Sequence, residues 1–397
     1  MMLPETGWRT RADLIRLTQS LGAGEGLVRF VGGAVRDALL GLPVSDLDLA
    51  TVLRPDEVSR RVRAAGFKAA PTGIAHGTVT AVLPEGPVEV TTLRRDISTD
   101  GRRATVAFTD DWREDAARRD FTINALSADP TDGTIHDYFG GIDDVRLGVV
   151  RFIGDPLARI AEDHLRILRF FRFHARFGSG APDAAGLAAC SARANDLMAL
   201  SRERIAQELF KLLGVIDPTP TVALMVERGI LAPVLPEIDG EGVTRLRRLV
   251  AREREFGGDA LRRLAALLPA DPSVADLVGA RLKLSNAQRK RLISAAEPGE
   301  PGSARPLAHA IGLTNARDRL LLRKADPDAA LAEIDGWHPP RLPVGGGDLV
   351  ALGLSAGPTV AATLQAIERQ WVDEGFPDAA RVRAIAKEKV DQTLRAR

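Results

Sequence analysis

The residues best suited to chemistry are acidic. In Val44-Ser45-Asp46-Leu47-Asp48-Leu49, side chains on an extended strand alternate between faces. Asp46 and Asp48 then project from one side while Leu47 and Leu49 take the other. Two adjacent carboxylates repel each other unless a cation lies between them, and hard oxygen ligands suit Mg²⁺, which collects phosphate oxygens in turn. A bare Asp-x-Asp equally describes an ordinary solvated strand face. Glu89, within Pro87-Val88-Glu89-Val90-Thr91, sets a carboxylate in an apolar strand and is the candidate third ligand. Upstream, Phe30-Val31-Gly32-Gly33-Ala34-Val35-Arg36-Asp37 reads as a strand turning through Gly32 and Gly33 into a helix. Paired glycines allow close backbone approach, and N–H groups at a helix start attract phosphate. Arg36 is placed to grip the same anion. Taken alone, the two glycines describe only a turn.

Two further blocks add polar pairs. In Arg118-Arg119-Asp120-Phe121-Thr122-Ile123-Asn124-Ala125-Leu126, Asp120 and Asn124 share a face if the segment is helical. They suit ribose hydroxyls, with Arg119 reaching phosphate. In Glu162-Asp163-His164-Leu165-Arg166, Asp163 and Arg166 lie three apart on an expected helix. As a surface ion pair they are worth about half a kcal/mol or less. As a nucleobase reader they are selective, because cytosine and adenine both present an exocyclic amino donor beside a ring-nitrogen acceptor. The carboxylate accepts from the first and the guanidinium donates to the second. Uracil and guanine each present a carbonyl oxygen beside a ring N–H instead, so both contacts meet like against like, and a buried group left unpaired costs roughly 1–3 kcal/mol. Arg166, Arg169, Arg172 and Arg176 continue as one edge of a long helix, suited to phosphates of nucleotide or RNA, with Ile167, Leu168, Phe170, Phe171 and Phe173 facing the core.

Over about residues 28–210 these strings resemble the class II tRNA nucleotidyltransferase and bacterial poly(A) polymerase family, within the polymerase-beta-like superfamily. The Arg-Arg-Asp-Phe-Thr-x-Asn-Ala and Glu-Asp-x-x-Arg motifs carry most of the resemblance. It implies template-independent transfer of CMP and AMP from CTP and ATP to the 3′ end of tRNA, with pyrophosphate released. It further implies two Mg²⁺ ions on Asp46, Asp48 and Glu89, triphosphate binding by Gly32, Gly33, Arg36 and Arg119, and base selection by Asp163 and Arg166, with Asp120, Asn124 and Arg169 completing the substrate site. Glu203-Arg204-Ile205 with Glu208-Leu209 resembles a segment that braces the neck helices. By the same resemblance Arg94–Trp112, polar and glycine-bearing, is a mobile loop needed for adding A after CC. Its length argues against a CC-only enzyme, and Ala104 stands where many relatives carry proline. A poly(A) polymerase of the same family is the nearest alternative; a strongly basic C-terminal extension would favour it, and none follows Lys389. An inactive RNA-binding protein is a third possibility, disfavoured because all three carboxylates and both base-reading residues are present.

The elements that must position these groups follow from pattern. The first 150 residues alternate strand-like and helix-like text: Leu27–Val31, a helix over Ala34–Leu40, Asp46–Thr51, a hairpin of Gly77–Leu83 and Val88–Leu93, and a short strand over Thr134–Tyr138. An amphipathic helix is expected in Met1–Leu17. After Pro156 apolar residues recur at helical spacing to the end. The expected architecture is an α/β (α+β) head with a small mixed sheet, followed by an elongated all-α neck, body and tail. The limits are 1–150 for the head, 151–216 for the neck, 217–300 for the body and 301–397 for a tRNA-binding tail.

Composition narrows the classes further. The 397 residues are 45% hydrophobic and 27% charged, with a net charge of +1, so RNA contact must come from local basic patches. Arg245, Arg247, Arg248, Arg252 and Arg254 form one such cluster, and Arg281, Lys283, Arg289, Lys290 and Arg291 another. One cysteine, Cys190, excludes an internal disulfide framework, and six scattered histidines, His76 and His164 among them, make no zinc site. The absence of an 18-residue apolar run excludes a membrane-spanning helix. The expected setting is cytoplasmic, with no membrane or DNA partner.

Overall fold

The computed structural model describes residues 1–73, 77–100 and 103–395, and the acidic segment enters it at the centre of a seven-stranded sheet. The strands are β1 (Val28–Val31), β2 (Asp48–Thr51), β3 (Lys68–Gly73), β4 (Thr78–Leu83), β5 (Gly86–Thr92), β8 (Ser127–Ala128) and β9 (Ile135–His136), in the order β3-β4-β5-β2-β1-β8-β9. Every neighbouring pair is antiparallel except β2 with β5. That parallel pair sets Asp48 opposite Glu89, and directly opposed residues on adjacent strands present their side chains to the same face. The mixed sheet and the β4–β5 hairpin match the expectation. Strand β2 is shorter than expected, because pairing with β5 begins at Asp48 and with β1 at Leu49, so Asp46 lies just before it. Alternation nevertheless runs through the segment, with Leu47 and Leu49 buried and Asp46 exposed.

Helices cover this sheet: α1 (Ala12–Ser20), α2 (Gly33–Leu39), α3 (Pro55–Ala64), α4 (Trp112–Ala117) and α5 (Gly141–Leu147). The opening helix starts later than expected, with Met2 bridging to Thr134 instead. The segment read as a loop carries two strands. Strands β6 (Arg94–Asp100) and β7 (Arg103–Phe108) pair antiparallel as a separate two-stranded sheet. Gly101 and Arg102 lie outside the described residues, as does His76.

Beyond the sheet the first compact unit, residues 1–240, is helical: α6 (Pro156–Glu162), α7 (Arg166–Phe177), α8 (Ala184–Ala192), α9 (Arg202–Leu213) and α10 (Thr219–Glu227). Phe121 fastens the head to α7. It is fully buried, with ring centroids 4.8 Å from Phe152 and 5.3 Å from Phe173, while Phe152 stacks on Phe170 at 5.5 Å. This aromatic knot fixes Asp120, one residue upstream, against the arginine edge of α7.

The second unit, residues 241–397, contains only helices among its described elements: α11 (Gly240–Arg252), α12 (Ala260–Leu267), α13 (Pro272–Arg281), α14 (Asn286–Ala296), α15 (Ala304–Ile311), α16 (Leu313–Arg323), α17 (Asp328–Ile334), α18 (Gly346–Ala351), α19 (Pro358–Asp373) and α20 (Ala379–Arg395). Several arginines expected to form a basic stripe are engaged internally. Arg245 donates to the carbonyls of Ala266, Leu267 and Leu268, and Arg252 to those of Leu321, Lys324 and Ala325. Helix C-termini leave such carbonyls without intrahelical donors, and long cationic side chains satisfy them. Arg291 pairs with Asp259 and Asp318. No described helix is long and apolar enough to cross a membrane. Phe121→Ala is expected to lower unfolding free energy by about 3–5 kcal/mol, the range for truncating a buried aromatic. Denaturant titration of the purified variant checks this.

Candidate active site

A cavity of about 670 Å³ opens between the head and the start of α7. Gly32, Gly33 and Arg36 line it from the β1–α2 turn, and Asp46 and Asp48 from the strand entrance. Arg119, Asp120 and Asn124 contribute from the turn after α4, and Asp163, Arg166 and Arg169 from the α6–α7 junction. Of the residues singled out from sequence, only Glu89 lies off this wall. It lines an adjoining cavity of about 110 Å³ together with Asp48 and Arg119. Gly32 has φ 66°, and a Cβ there would sit 2.9 Å from Arg119 Nη1. The positive φ is what favours glycine at this turn, since the Arg119 guanidinium is the flexible end of its side chain and could shift aside.

Asp48 is the electrostatic centre. Burial pushes its carboxyl above the usual range, and the neighbouring Glu89 and Asp46 carboxylates push it further, with Arg119 opposing. The three acids are not drawn into one tight cluster. Among the described residues no three His, Cys, Asp or Glu side chains stand close enough together to hold a metal ion, and Asp46 Oδ2 lies 3.2 Å from Ser45 Oγ. In kind the donors still suit a divalent cation, since Asp48 is a partly buried carboxyl repelled by the Glu89 and Asp46 carboxylates.

The cationic side of the cavity is held by buried acids. Asp115, 3% exposed, pairs with Arg118 at 2.9 Å and Arg119 at 3.4 Å. Burial raises its carboxyl, but the two guanidinium groups outweigh that and hold it below the usual range. Asp120 is fixed likewise: Arg169 Nε donates to its Oδ2 at 2.7 Å and Asn124 Nδ2 to its Oδ1 at 3.0 Å. These contacts overcome the burial that would raise Asp120, and the carboxyl is held low. Asp120 and Asn124 meet as expected, although through a 3₁₀ turn over Thr122–Asn124 rather than an α-helix. Arg36 is buried, contacts Asn124 Oδ1, pairs with Asp37 at 2.7 Å and lies 4.1 Å over the ring of Phe177. Burial lowers its pKa, with Asp37 only partly offsetting.

The expectation that Asp163 and Arg166 share a helix is corrected. Helix α6 ends at Glu162, Asp163 is extended at φ −152°, and α7 begins at Arg166. Asp163 Oδ1 accepts from the Leu165 N–H at 3.1 Å, which draws the carboxylate into the break between helices. Both residues face the same cavity but have separate anchors. Arg204 donates to Asp163 Oδ2 at 2.8 Å, and Arg166 bonds the Glu162 carboxylate and the Arg159 carbonyl. Arg204 and Glu208 brace the neck as their motif suggested, for Glu208 holds Arg172 at 2.6 Å. Sequence reading missed Asp115, although its spacing of three and four from Arg118 and Arg119 was a visible signal. It also missed Lys211, which lines the cavity from an unremarkable position on α9.

Comparison with known proteins follows the same outline. The family described as the Poly A polymerase head domain matches residues 28–151, and the probable RNA and SrmB-binding site of polymerase A matches residues 183–241. The mouse mitochondrial CCA tRNA nucleotidyltransferase 1 is 35% identical over 365 residues, covering 88% of this chain and 83% of its own. A CCA-adding enzyme of Lacticaseibacillus paracasei is 42% identical over 206 residues, covering 51% of this chain and 50% of its own. The crystal structure of the Bacillus stearothermophilus CCA-adding enzyme in complex with CTP superposes with a TM-score of 0.78. It is 28% identical and covers 97% of this chain and 98% of that one.

Asp48→Asn tests the electrostatics directly. A carboxyl whose folded-state pKa is raised penalises the folded protein at pH values where it is ionised, and the penalty disappears below its unfolded-state value near 4. Without divalent ions the variant is expected to melt a few degrees above the unaltered protein at pH 7–8. The gap should close as the pH falls towards 4. Thermal melts across that range measure it.

Proposed function

The chain belongs to the CCA tRNA nucleotidyltransferase family, and from that premise we infer that it adds CMP and AMP, taken from CTP and ATP, to the 3′ end of tRNA. Pyrophosphate is released, and no nucleic-acid template is read. The observation that carries this assignment is the single cavity that joins a glycine turn, acidic residues and the Asp163–Arg166 pair. Its volume falls within the usual range for small-molecule sites, about 300–1,000 Å³, and suits one nucleoside triphosphate.

The protein's own groups divide the work. Gly32 and Gly33 let the triphosphate approach the backbone, and Arg119, steadied by Asp115, meets its phosphate oxygens. Asp120 and Asn124 form a rigid wall beside the ribose, locked by Arg169. Asp163 accepts from the exocyclic amino group of cytosine or adenine while Arg166 donates to the neighbouring ring nitrogen. Both side chains are anchored from behind, so neither can turn to suit uracil or guanine. Nucleotidyl transfer of this class uses divalent metal, and Asp46, Asp48 and Glu89 would hold two Mg²⁺ ions. When bound, these supply activation of the RNA 3′-hydroxyl and neutralisation of charge on the leaving pyrophosphate.

Within this proposal catalysis belongs to the head at 1–150, base selection to the neck at 151–216, and RNA binding to the body at 217–300 and the tail at 301–397. A cytoplasmic setting is included, in keeping with a single cysteine, Cys190.

Incubating the purified protein with tRNA lacking its 3′ end, CTP and ATP decides the product. Addition of C-C-A is expected, whereas a run of many A residues would identify a poly(A) polymerase and no extension an inactive RNA binder. Asp46→Ala is expected to reduce transfer by about a thousandfold or more. Asp163→Ala is expected to keep weak incorporation while losing about tenfold to a hundredfold of its preference for CTP over UTP, the equivalent of roughly 1–3 kcal/mol. Arg204→Ala, which frees the same carboxylate, is expected to shift the preference in the same direction by less. Single-turnover incorporation of each nucleotide measures both.

A further inference from the structure

Arginines of the cavity wall gather on two phenylalanine rings of α7. The guanidinium carbons of Arg169 and Arg172 lie 5.3 Å and 4.2 Å from the centre of the Phe173 ring, and that of Arg176 lies 4.9 Å from the centre of Phe177. These three share the helix with the rings. Arg36 arrives from α2 and stands over both, 4.1 Å from Phe177 and 5.4 Å from Phe173. The rings stack on each other at 5.9 Å with their planes 22° apart, so they form one aromatic plate beneath the cations. Phe173 lines the cavity and packs against Phe121 at 5.3 Å. Phe177, the last residue of α7, is half-buried and lies off the cavity wall.

A carboxylate holds an arginine by taking up its N–H groups and cancelling its charge. An aromatic face attracts the cation through its ring electrons, leaving the outer N–H groups and the net charge to meet an anion. In Arg36, Nε and Nη2 go to Asp37 and Nη1 goes to Asn124 Oδ1. Each terminal nitrogen carries a second N–H. Nη2 stands by the glycine turn, for a Cβ on Gly33 would lie 3.6 Å from it. Asp37 is also drawn by Arg176 at 3.5 Å, so the acid does not belong to Arg36 alone. Arg36 is only 5% exposed, and attraction between cation and ring is strongest where water is excluded.

Resting on the nucleotidyltransferase reading above, we propose that Phe177 is a positioning residue for triphosphate binding, its ring holding Arg36 beside the Gly32 and Gly33 turn with charge and outer N–H groups ready for phosphate. Phe177 touches no nucleotide and acts through Arg36. The same helix begins at Arg166. Base reading at one end of α7 and phosphate placement at the other are thereby set by a single rigid element about 18 Å long. Phe173 anchors that element to the head through Phe121, which leaves Phe177 as the ring whose main distant partner is the cation.

Phe177→Leu keeps apolar bulk and removes the ring, whereas Phe177→Trp keeps an aromatic face. Ligand-observed NMR titration of each variant with CTP, and with cytidine, which has no phosphate, tests the role without turnover. Phe177→Leu is expected to raise Kd for CTP about fivefold, within the span of a desolvated cation–ring contact. Cytidine should bind as before, and Phe177→Trp should recover most of the lost affinity. In an Arg36→Gln background the ring change is expected to add nothing, because the two side chains act as one pair. Unchanged CTP affinity in Phe177→Leu would overturn the inference. Equal losses for CTP and cytidine, a Phe177→Trp protein no better than Phe177→Leu, or full additivity with Arg36→Gln would do the same, since each describes a ring that only packs. Those results would leave C-C-A addition by the unaltered protein, and the transferase reading, intact. An Arg36→Gln protein that binds CTP undiminished would instead remove the phosphate role given to Arg36, and this inference with it.

Discussion

Asp48 and Glu89 are placed opposite each other by the one parallel strand pair in an otherwise antiparallel sheet, and this like-charge juxtaposition governs the site. Antiparallel pairing of β4 with β5 and of β1 with β2 fixes both strands from the outside, so the two carboxylates cannot slide apart without breaking register. A one-residue slip would turn Glu89 to the opposite face and bury it among the core residues now met by Val88 and Val90. The fold thus holds an electrostatic conflict in place, visible as the raised carboxyl of Asp48. Only a positively charged visitor, or Arg119 nearby, relieves it.

Around that conflict the cavity repeats one device: an acid beneath the surface positions an arginine at it. Asp115 does so for Arg119, Asp120 for Arg169, Glu208 for Arg172 and Asp37 for Arg176. Guanidinium suits this arrangement because its planar fork can satisfy a buried carboxylate with some donors while others still face the cavity. On the proposed reading, substrate phosphates would meet cations whose side-chain freedom has already been lost, so less ordering would remain to oppose binding. The buried acids are also why the cavity is not a region of unrelieved positive charge before a nucleotide enters.

Much of this was legible in the sequence where chemistry and local pattern coincide. The alternation around Asp46 and Asp48, the glycine turn, the β4–β5 hairpin and the helical run after Pro156 all emerge from spacing. What was not legible depends on partners far along the chain. Nothing near Asp120 announces Arg169, 49 residues away, and nothing near Asp163 announces Arg204, 41 residues away. The break at Asp163 was hidden for a local reason: the Glu-Asp-x-x-Arg spacing satisfies helical periodicity, yet an aspartate whose side chain bonds a nearby backbone N–H competes with the helix. Strand β3 was missed because Lys68-Ala69-Ala70-Pro71-Thr72-Gly73 holds few strand-forming residues, and the β6–β7 pair because its segment was read as a polar loop; pairing partners make them strands. Arg245 and Arg252 looked like an RNA-facing stripe because composition cannot tell a cation facing solvent from one bound to a helix end.

That break between α6 and α7 bears on selectivity. Had Asp163 and Arg166 stood on one continuous helix, a surface pair at that spacing would readily have closed on itself. A wrong base would then face two groups that still had each other. In the structure Asp163 is turned out of the helix and bonded to Arg204 of α9, while Arg166 is tied to Glu162 and to the Arg159 carbonyl. Arg159 in turn donates to the carbonyls of Arg118 and Arg119, the residues just before Asp120. Each half of the proposed base-reading pair therefore answers to a different part of the scaffold, and one of those parts also carries Arg119, proposed above to meet phosphate. A mismatched base meets groups that can relax neither towards it nor towards each other, so the penalty of an unpaired donor or acceptor falls on the wrong nucleotide. On the reading proposed above, selection without a template would depend on that rigidity as much as on the identity of the two side chains.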